Sequence, residues 1–210
     1  MKILFYGDSI TDAGRNREIN DMSLSSFGLG YPYQVTARLM ARDPLANYFI
    51  NTGISGNRIV DLYSRIKIDF WNHKPDVASI LIGINDIWHE YNHENGVEPD
   101  RFETVYRMLI SDTLKRLPDL KLMIMEPFVI KGTATEANYE DFRSKTETYA
   151  AIAKKLAEEF GLTFIPLQAR LDEAAAKFGG EVVSADGVHP AIFGASIIAD
   201  AWLEAFDALK

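Results

Sequence analysis

Residues 2–11 read KILFYGDSIT, an apolar run that stops abruptly at Gly7, Asp8 and Ser9. A strand of a parallel sheet is covered on both faces and is therefore apolar along most of its length. The first five residues of the stretch have this character, and we interpret them as a buried strand. Ser9 then follows the strand directly, where a serine either caps the next helix or is available as a nucleophile.

Short apolar runs of the same kind recur along the chain and alternate with longer segments of helical periodicity. The segment 100–118 has a capping-box-like start at Asp100 and Glu103, the segment 138–161 ends in a glycine, and Pro190 is placed to open the last helix. The predicted strands are KILFY (2–6), NYFIN (47–51), VASILI (77–82), LKLMIM (120–125) and LTFIPL (162–167).

This alternation predicts the fold class. Repeated βα units with right-handed crossovers indicate a three-layer α/β/α architecture, a flavodoxin-like doubly wound sheet of five parallel strands. The 210 residues suffice for one domain with a sizeable core and are short for two. We therefore expect a single domain spanning 1–210.

Composition narrows the classes of partner. The chain is 47% hydrophobic and 25% charged with a net charge of −8, and it has no basic stripe that would hold a nucleic acid. No segment approaches membrane-spanning length, and the N-terminal apolar run is shorter than a signal-peptide core. Cysteine is absent, which excludes disulfides and thiolate chemistry. We expect a cytoplasmic protein that binds neither nucleic acid nor membrane.

The loops that follow the strands are the place to look for a site, because ligands of open parallel sheets bind beyond the carboxyl ends of the strands. Polar or glycine-rich sequences follow the first three predicted strands, and another precedes the last helix. These sequences are GDSIT (7–11), NTGISGN (51–57), GIND (83–86) and DGVHP (186–190).

Together these loops contain the parts that acyl transfer by a serine requires. Ser9 supplies the hydroxyl, His189 can take its proton, and Asp186, three residues earlier, can orient the imidazole. The backbone N–H groups of Ser9 and Gly56 and the side-chain amide of Asn85 can donate to an oxyanion. Each residue alone has an ordinary structural explanation as a cap or turn residue, but their joint placement favours a catalytic site.

The four blocks resemble those of the SGNH hydrolases, also called the GDSL esterase and lipase family. Ser9, Gly56, Asn85 and His189 occupy the positions of the four residues that give the family its name, and Asp186 matches the acid of its triad. One position departs from the name-giving motif, since Ile10 replaces a leucine. The resemblance implies ester hydrolysis through an acyl-serine intermediate, with no cofactor and no metal.

Longer matches suggest the substrate. The stretches GDSITDAGR, GLGYP, NTGISGNRIVDL and IGINDIW are similar to the bacterial branch that removes acetyl groups from xylan oligosaccharides. We therefore expect a small ester substrate, an acetylated carbohydrate, while lipases, lysophospholipases and thioesterases share the fold and remain the alternatives. Tyr31, Ile84 and Trp88 are candidates for the pocket wall. Aromatics such as Trp71 and Trp202 would pack either in the core or at a subunit contact, so a homo-oligomer stays open as an alternative.

Two other functions compete for the same chain. HEYNHENG (89–96) matches the H-E-x-x-H zinc motif through His89, Glu90 and His93, but Pro99 stands where the third histidine of the extended motif would lie. Low helix propensity favours a polar loop for this segment.

The second alternative is a non-catalytic, flavodoxin-like module with a phosphate or flavin in the first loop. Arg15 would attract a phosphate there, whereas Asp8 and Asp12 would repel it.

Overall fold

The computed structural model of the protein describes residues 1–19 and 21–209. Within these residues five strands form one sheet, and every neighbouring pair of strands is parallel, as predicted. The predicted strands are all present, and their ends differ by two residues at most. The strands are β1 (Lys2–Gly7), β2 (Tyr48–Asn51), β3 (Val77–Leu81), β4 (Lys121–Met125) and β5 (Thr163–Ile165).

Helices connect the strands and cover the sheet. Three short 3₁₀ segments, Leu24–Ser26, Trp71–His73 and Glu136–Asn138, supplement them. In the described part of the chain the α-helices are α1 (Ser9–Asp12), α2 (Tyr31–Arg42), α3 (Ile59–Asp69), α4 (Ile84–His93), α5 (Pro99–Arg116), α6 (Tyr139–Glu159), α7 (Gln168–Phe178), α8 (Gly180–Val183) and α9 (Ile192–Ala208).

Two adjacent residues of β1 show how the layers are built. Successive side chains of a strand point to opposite faces of the sheet. Phe5 contacts Tyr31 of α2 and Trp202 of α9, with ring centroids 5.8 and 5.5 Å away. Tyr6 contacts Phe70, directly after α3, at 5.3 Å. Helices α2 and α9 therefore cover one face, whereas α3 covers the other, where α5 packs on α3 and α6 packs on α5.

The strand order fixes where a site can form. The sheet runs β2, β1, β3, β4, β5, so the chain leaves β1 toward one edge and leaves β3 toward the other. A crevice opens at the carboxyl ends of two neighbouring strands whose connections diverge in this way. Ser9 follows β1 and Asn85 follows β3, so both lie at this switch point.

The structure corrects the predicted starts of two helices and confirms the predicted end of a third. Helix α5 begins at Pro99 and has no side-chain cap, because Glu103 instead pairs with Arg107 and with a lysine of α6. The last helix begins at Ile192 rather than Pro190, and Ala191 is its N-cap. Helix α6 ends as predicted, since Gly161 beyond it adopts φ +65°.

No helix in the described ranges combines the length and the apolar character needed to cross a membrane.

Candidate active site

Ser9 lies at the carboxyl edge of the sheet, at the point predicted from the first strand. β1 is buried from Ile3 onward, and Ser9 is the first residue of α1. Serine is not the cap of this helix. Asp8 caps it instead, because its Oδ1 accepts the backbone N–H of Ile10 at 3.0 Å. The Ser9 hydroxyl is thus free of the capping role and faces another part of the chain.

Its partner is His189, 180 residues later. Ser9 Oγ lies 2.8 Å from His189 Nε2, and His189 Nδ1 lies 2.6 Å from Asp186 Oδ2. A carboxylate only accepts hydrogen bonds, so Nδ1 donates to Asp186 and Nε2 accepts from the serine hydroxyl. The three side chains form one hydrogen-bonded chain, the arrangement that activates a serine for attack on a carbonyl carbon.

The electrostatics of the pair suit proton transfer. The hydrogen bond to Asp186 raises the pKa of His189 and outweighs partial burial, which lowers it, while the nearby charge of Asp8 adds to the increase. Burial raises the pKa of Asp186, but its bonds to His189 and to the backbone N–H of Val188 outweigh burial and hold the pKa below its usual range. Asp186 therefore stays ionised and stabilises the imidazolium that forms when His189 takes a proton.

A helix N-terminus has little influence on His189. If the last helix opened at Pro190, His189 would lie beside its first turn, where the positive end of the dipole would disfavour imidazolium. Because α9 begins only at Ile192, His189 precedes the helix by three residues. The carboxylate of Asp186 dominates the pKa of His189.

A loop that the sequence analysis overlooked holds Asp186 in place. Residues 130–134, beyond β4, bind the segment 185–187 through three backbone hydrogen bonds of 2.9 to 3.0 Å. Gly132 allows this approach, since a Cβ there would lie 2.2 Å from Gly187 N. The Thr135 hydroxyl secures the loop by donating to Ile130 O at 2.8 Å. The glycine and threonine in KGTAT (131–135) were the available sequence signal.

Gly56 lies in the loop after β2, and this loop contacts the first turn of α4, where Asn85 lies. Gly56 has φ +82°, and a Cβ at this position would meet open space, so its backbone is approachable. Asn85 is 4% exposed, and its Nδ2 donates to Asn57 O at 3.1 Å. The second N–H of that amide remains to serve another acceptor. The Gly56 loop is also joined to α1, because Ser55 N and Oγ each donate to Asp12 Oδ2 at 2.9 Å.

Two buried carboxyl groups lie beneath these loops. Asp8 and Asp86 are 0% and 1% exposed, and burial raises the pKa of Asp8 to about 7 and that of Asp86 to about 8. Asp86 accepts the backbone N–H of Ile59 at 3.0 Å and so joins the first turn of α4 to α3. Asp86 was not among the predicted site residues. Its position directly after Asn85 at the end of a buried strand was the available signal.

A small cleft opens beside Ser9 and His189. Its volume is about 190 Å³, and Leu29, Gly30 and Tyr31 form part of its wall. The Tyr31 side chain is buried, and its hydroxyl lies 3.2 Å from the Thr11 hydroxyl.

The other two pocket candidates lie elsewhere around the site. Trp88 is partly exposed, with its ring centroid 5.8 Å from that of His189. Ile84 is 1% exposed and belongs to the core.

The H-E-x-x-H segment is helical, so the polar loop predicted for it is wrong. Residues 89–93 belong to α4, and the rings of His89 and His93 are one turn apart, with centroids 5.8 Å from each other. Glu90 accepts the backbone N–H of Gly96 at 3.0 Å. Throughout residues 1–19 and 21–209, no three His, Asp or Glu side chains cluster in a way that could hold a metal ion.

The arginines that follow β1, where a phosphate would bind in a flavodoxin-like module, form contacts within the protein instead. Arg15 Nε donates to Gly53 O at 2.9 Å, and Arg17 pairs with Asp12. A phosphate in this loop would meet the carboxylates of Asp8 and Asp12.

The geometry has counterparts among known proteins. The model of the GDSL-like lipase/acylhydrolase family matches residues 5–196. An acetylxylan esterase from Geobacillus stearothermophilus is 36% identical over 207 residues, which cover 96% of this chain and 92% of the esterase.

Solved structures agree with the sequence relatives. A Parabacteroides merdae protein described as a GDSL-like lipase superposes with a TM-score of 0.91 at 37% identity, covering 97% of this chain and 94% of that one. Axe2, an acetylxylan esterase from G. stearothermophilus, superposes with a TM-score of 0.87 at 35% identity, covering 97% and 93% of the two chains. Two solved variants of Axe2, described as catalytic mutants, carry alanine in place of a serine and of a histidine.

Proposed function

The chain belongs to the GDSL-like lipase/acylhydrolase family, and from this premise we propose that it removes acetyl groups from acetylated xylo-oligosaccharides with Ser9 as its nucleophile. It is a carboxylic ester hydrolase. The observation that carries the proposal is the hydrogen-bonded chain from Ser9 Oγ through His189 to Asp186, with lengths of 2.8 and 2.6 Å.

In the first half-reaction Ser9 Oγ attacks the ester carbonyl carbon while His189 Nε2 takes the hydroxyl proton. The oxygen of the tetrahedral intermediate accepts hydrogen bonds from the N–H groups of Ser9 and Gly56 and from Asn85 Nδ2. When the carbon–oxygen bond to the sugar breaks, His189 returns the proton to the leaving sugar oxygen. An acetyl group then remains on Ser9.

In the second half-reaction a water molecule attacks the acetyl-serine carbonyl while His189 takes one of its protons. The intermediate collapses, acetate leaves, and the proton returns to Ser9 Oγ. Asp186 remains ionised throughout and stabilises the imidazolium in both halves. Because His189 must reach the leaving oxygen, the partly exposed Trp88 ring beside it borders the leaving-group side of the site.

The substrate class rests on two supports. The relatives of 35 to 36% identity include acetylxylan esterases. The cleft beside Ser9, about 190 Å³, suits a short acyl group, whereas a drug-sized ligand occupies roughly 300 to 1,000 Å³. A lipase or thioesterase of the same fold would need room for a long acyl chain.

The test measures acetate release from acetylated xylo-oligosaccharides and from a chromogenic acetate ester. We expect Ser9→Ala to lose activity and Ser144→Ala, an exposed serine of α6, to keep it. Full activity in Ser9→Ala would refute the mechanism. In an ester series from acetyl to octanoyl we expect acetyl to be preferred. Preference for octanoyl would indicate a lipase and refute the substrate class.

A further inference from the structure

Arg65 of α3 holds together the ends of two strands and one loop. Its side chain is 13% exposed. Nη2 donates to Gly7 O at 3.1 Å, Nη1 donates to Thr52 O at 2.8 Å, and Nε donates to Asn57 Oδ1 at 2.7 Å. A fourth bond joins Nη1 to Asp69 Oδ2 at 2.9 Å. The guanidinium is thus fixed at four points.

The face of the guanidinium is fixed as well. Its central carbon lies 4.4 Å from the ring centroid of Tyr6, within the range of a cation–π contact. The Tyr6 hydroxyl is itself anchored, because it donates to Leu62 O at 2.5 Å. The guanidinium is therefore held by hydrogen bonds in its own plane and by the Tyr6 ring against one of its faces.

The three acceptors nearest the site belong to the segments that carry the proposed oxyanion donors. Gly7 is the last residue of β1, two residues before Ser9. Thr52 begins the loop that leads from β2 to Gly56. Asn57 follows Gly56, and its carbonyl oxygen accepts Asn85 Nδ2 at 3.1 Å. One side chain thus connects to the positions of all three donors.

We propose that Arg65 is a positioning residue that sets the mutual geometry of the oxyanion donors, an inference that rests on the function proposed above. It acts through Gly7, Thr52 and Asn57, because four of its N–H groups donate to acceptors within the protein. Donors that must meet one developing charge lose much of their effect when they are displaced, and a shift of about 1 Å can cost about 100-fold in rate.

The arrangement requires arginine rather than a positive charge alone. A planar guanidinium reaches acceptors in three directions and lies over the Tyr6 ring, whereas an ammonium is a compact point charge with three donors on a flexible stem. Lysine at position 65 would keep the charge and lose the fixed directions. Arg65→Lys therefore separates positioning from electrostatics.

The experiment compares Arg65→Lys and Arg65→Gln with Arg143→Gln. Arg143 is a matched control, since it is 22% exposed and its guanidinium bonds, to Glu147 and Asp172, join α6 to α7 and reach none of the oxyanion donors. We expect both Arg65 variants to lower kcat on the chromogenic acetate ester by about 10- to 100-fold with KM changed by less than about threefold. Arg143→Gln should keep kcat.

A double-mutant cycle tests the route of the effect. If Arg65 acts by placing the oxyanion donors, Arg65→Gln should lower kcat by a smaller factor in the Asn85→Ala background, where one of the three donors is already missing, than in the wild-type protein. An undiminished loss in the Asn85→Ala background would overturn the proposal. So would wild-type kcat in both Arg65 variants, or failure of both to fold while Arg143→Gln folds.

The outcomes separate this inference from the function on which it rests. Activity of the wild-type protein that is lost in Ser9→Ala supports the proposed function whatever Arg65 does. Inactivity of the wild-type protein, or full activity of Ser9→Ala, refutes the proposed function first. The positioning role of Arg65 is refuted by itself when Ser9→Ala loses activity and Arg65→Gln lowers kcat by the same factor with and without Asn85→Ala.

Discussion

Replacing Asp186 by asparagine removes one charge from the site and keeps its shape. Asp186 Oδ1 accepts the backbone N–H groups of Val188 and His189 at 2.9 and 2.7 Å, and an asparagine oxygen can accept both. Its Oδ2 faces His189 Nδ1 at 2.6 Å and is the atom that changes. An amide N–H there would favour the tautomer in which Nε2 carries the proton and cannot accept one from Ser9.

The expected loss follows from charge, distance and exposure. Opposite charges about 4 Å apart attract by about 4 kcal/mol at the effective dielectric of a protein surface. The side chains of His189 and Asp186 are 45% and 33% exposed, so solvent screening reduces this attraction. Taking about half, ~2 kcal/mol, and adding ~1 kcal/mol for the weaker neutral hydrogen bond gives a loss of about 100- to 200-fold in kcat.

The pH profile supplies the second readout for Asp186→Asn. His189 must be neutral to accept a proton, so activity falls as pH drops through its pKa. Since Asp186 raises the pKa of His189, the acidic limb of kcat/KM should move to lower pH in the variant. Rates on the chromogenic acetate ester from about pH 5 to 9 measure both effects. Wild-type kcat with an unmoved limb would refute the assignment of the pair.

Three further outcomes are expected. Burial raises the pKa of Asp86 from its ordinary 3.8 to about 8, so the stability of the wild-type protein should fall as pH rises toward and through about 8. Asp86→Asn should therefore lose less Tm between pH ~5 and ~9 than Asp119→Asn, a control variant at an exposed site. An equal loss of Tm in the two variants would contradict this. Gly132→Ala should lower both Tm, by about 2 to 10 °C, and kcat, because the added Cβ would lie 2.2 Å from Gly187 N and displace the Asp186 loop. An unchanged kcat would contradict the coupling between Gly132 and the Asp186 loop. Treatment with a metal chelator should leave hydrolysis unchanged, and its loss would restore the His89/His93 zinc alternative.

The fold was predictable because each strand can be recognised from its local sequence. Continuous apolar runs such as that of β1 can be buried only between two layers, and the alternating helices imply parallel order. Helix ends were less predictable, since α5 begins at Pro99 and α9 at Ile192 rather than at the residues that the local capping signals indicated. Helix α4 was missed because propensity disfavoured it, although packing on α6 stabilises it. That residues 1–210 form one domain stays a prediction.

The positions of the candidate residues at the strand ends were predictable, but their supporting contacts were not. Strand ends place Ser9 and Asn85 at the switch point by topology alone. No local pattern indicates that Arg65 would reach Gly7, or that the 130–134 segment would bind the Asp186 loop, since these contacts join positions distant in sequence. The roles of Ser9, Gly56, Asn85, Asp186 and His189 remain predictions, as does a homo-oligomeric assembly.

The hydrogen bond between Ser9 and His189 joins residues 180 positions apart, which has a consequence during synthesis. Ser9 emerges from the ribosome 180 residues before His189. A nascent chain can therefore complete β1 and α1 while the Ser9 hydroxyl still lacks this hydrogen bond. In a translation reaction, we expect ester hydrolysis to lag the appearance of β1 by the time needed to make and fold the chain as far as His189.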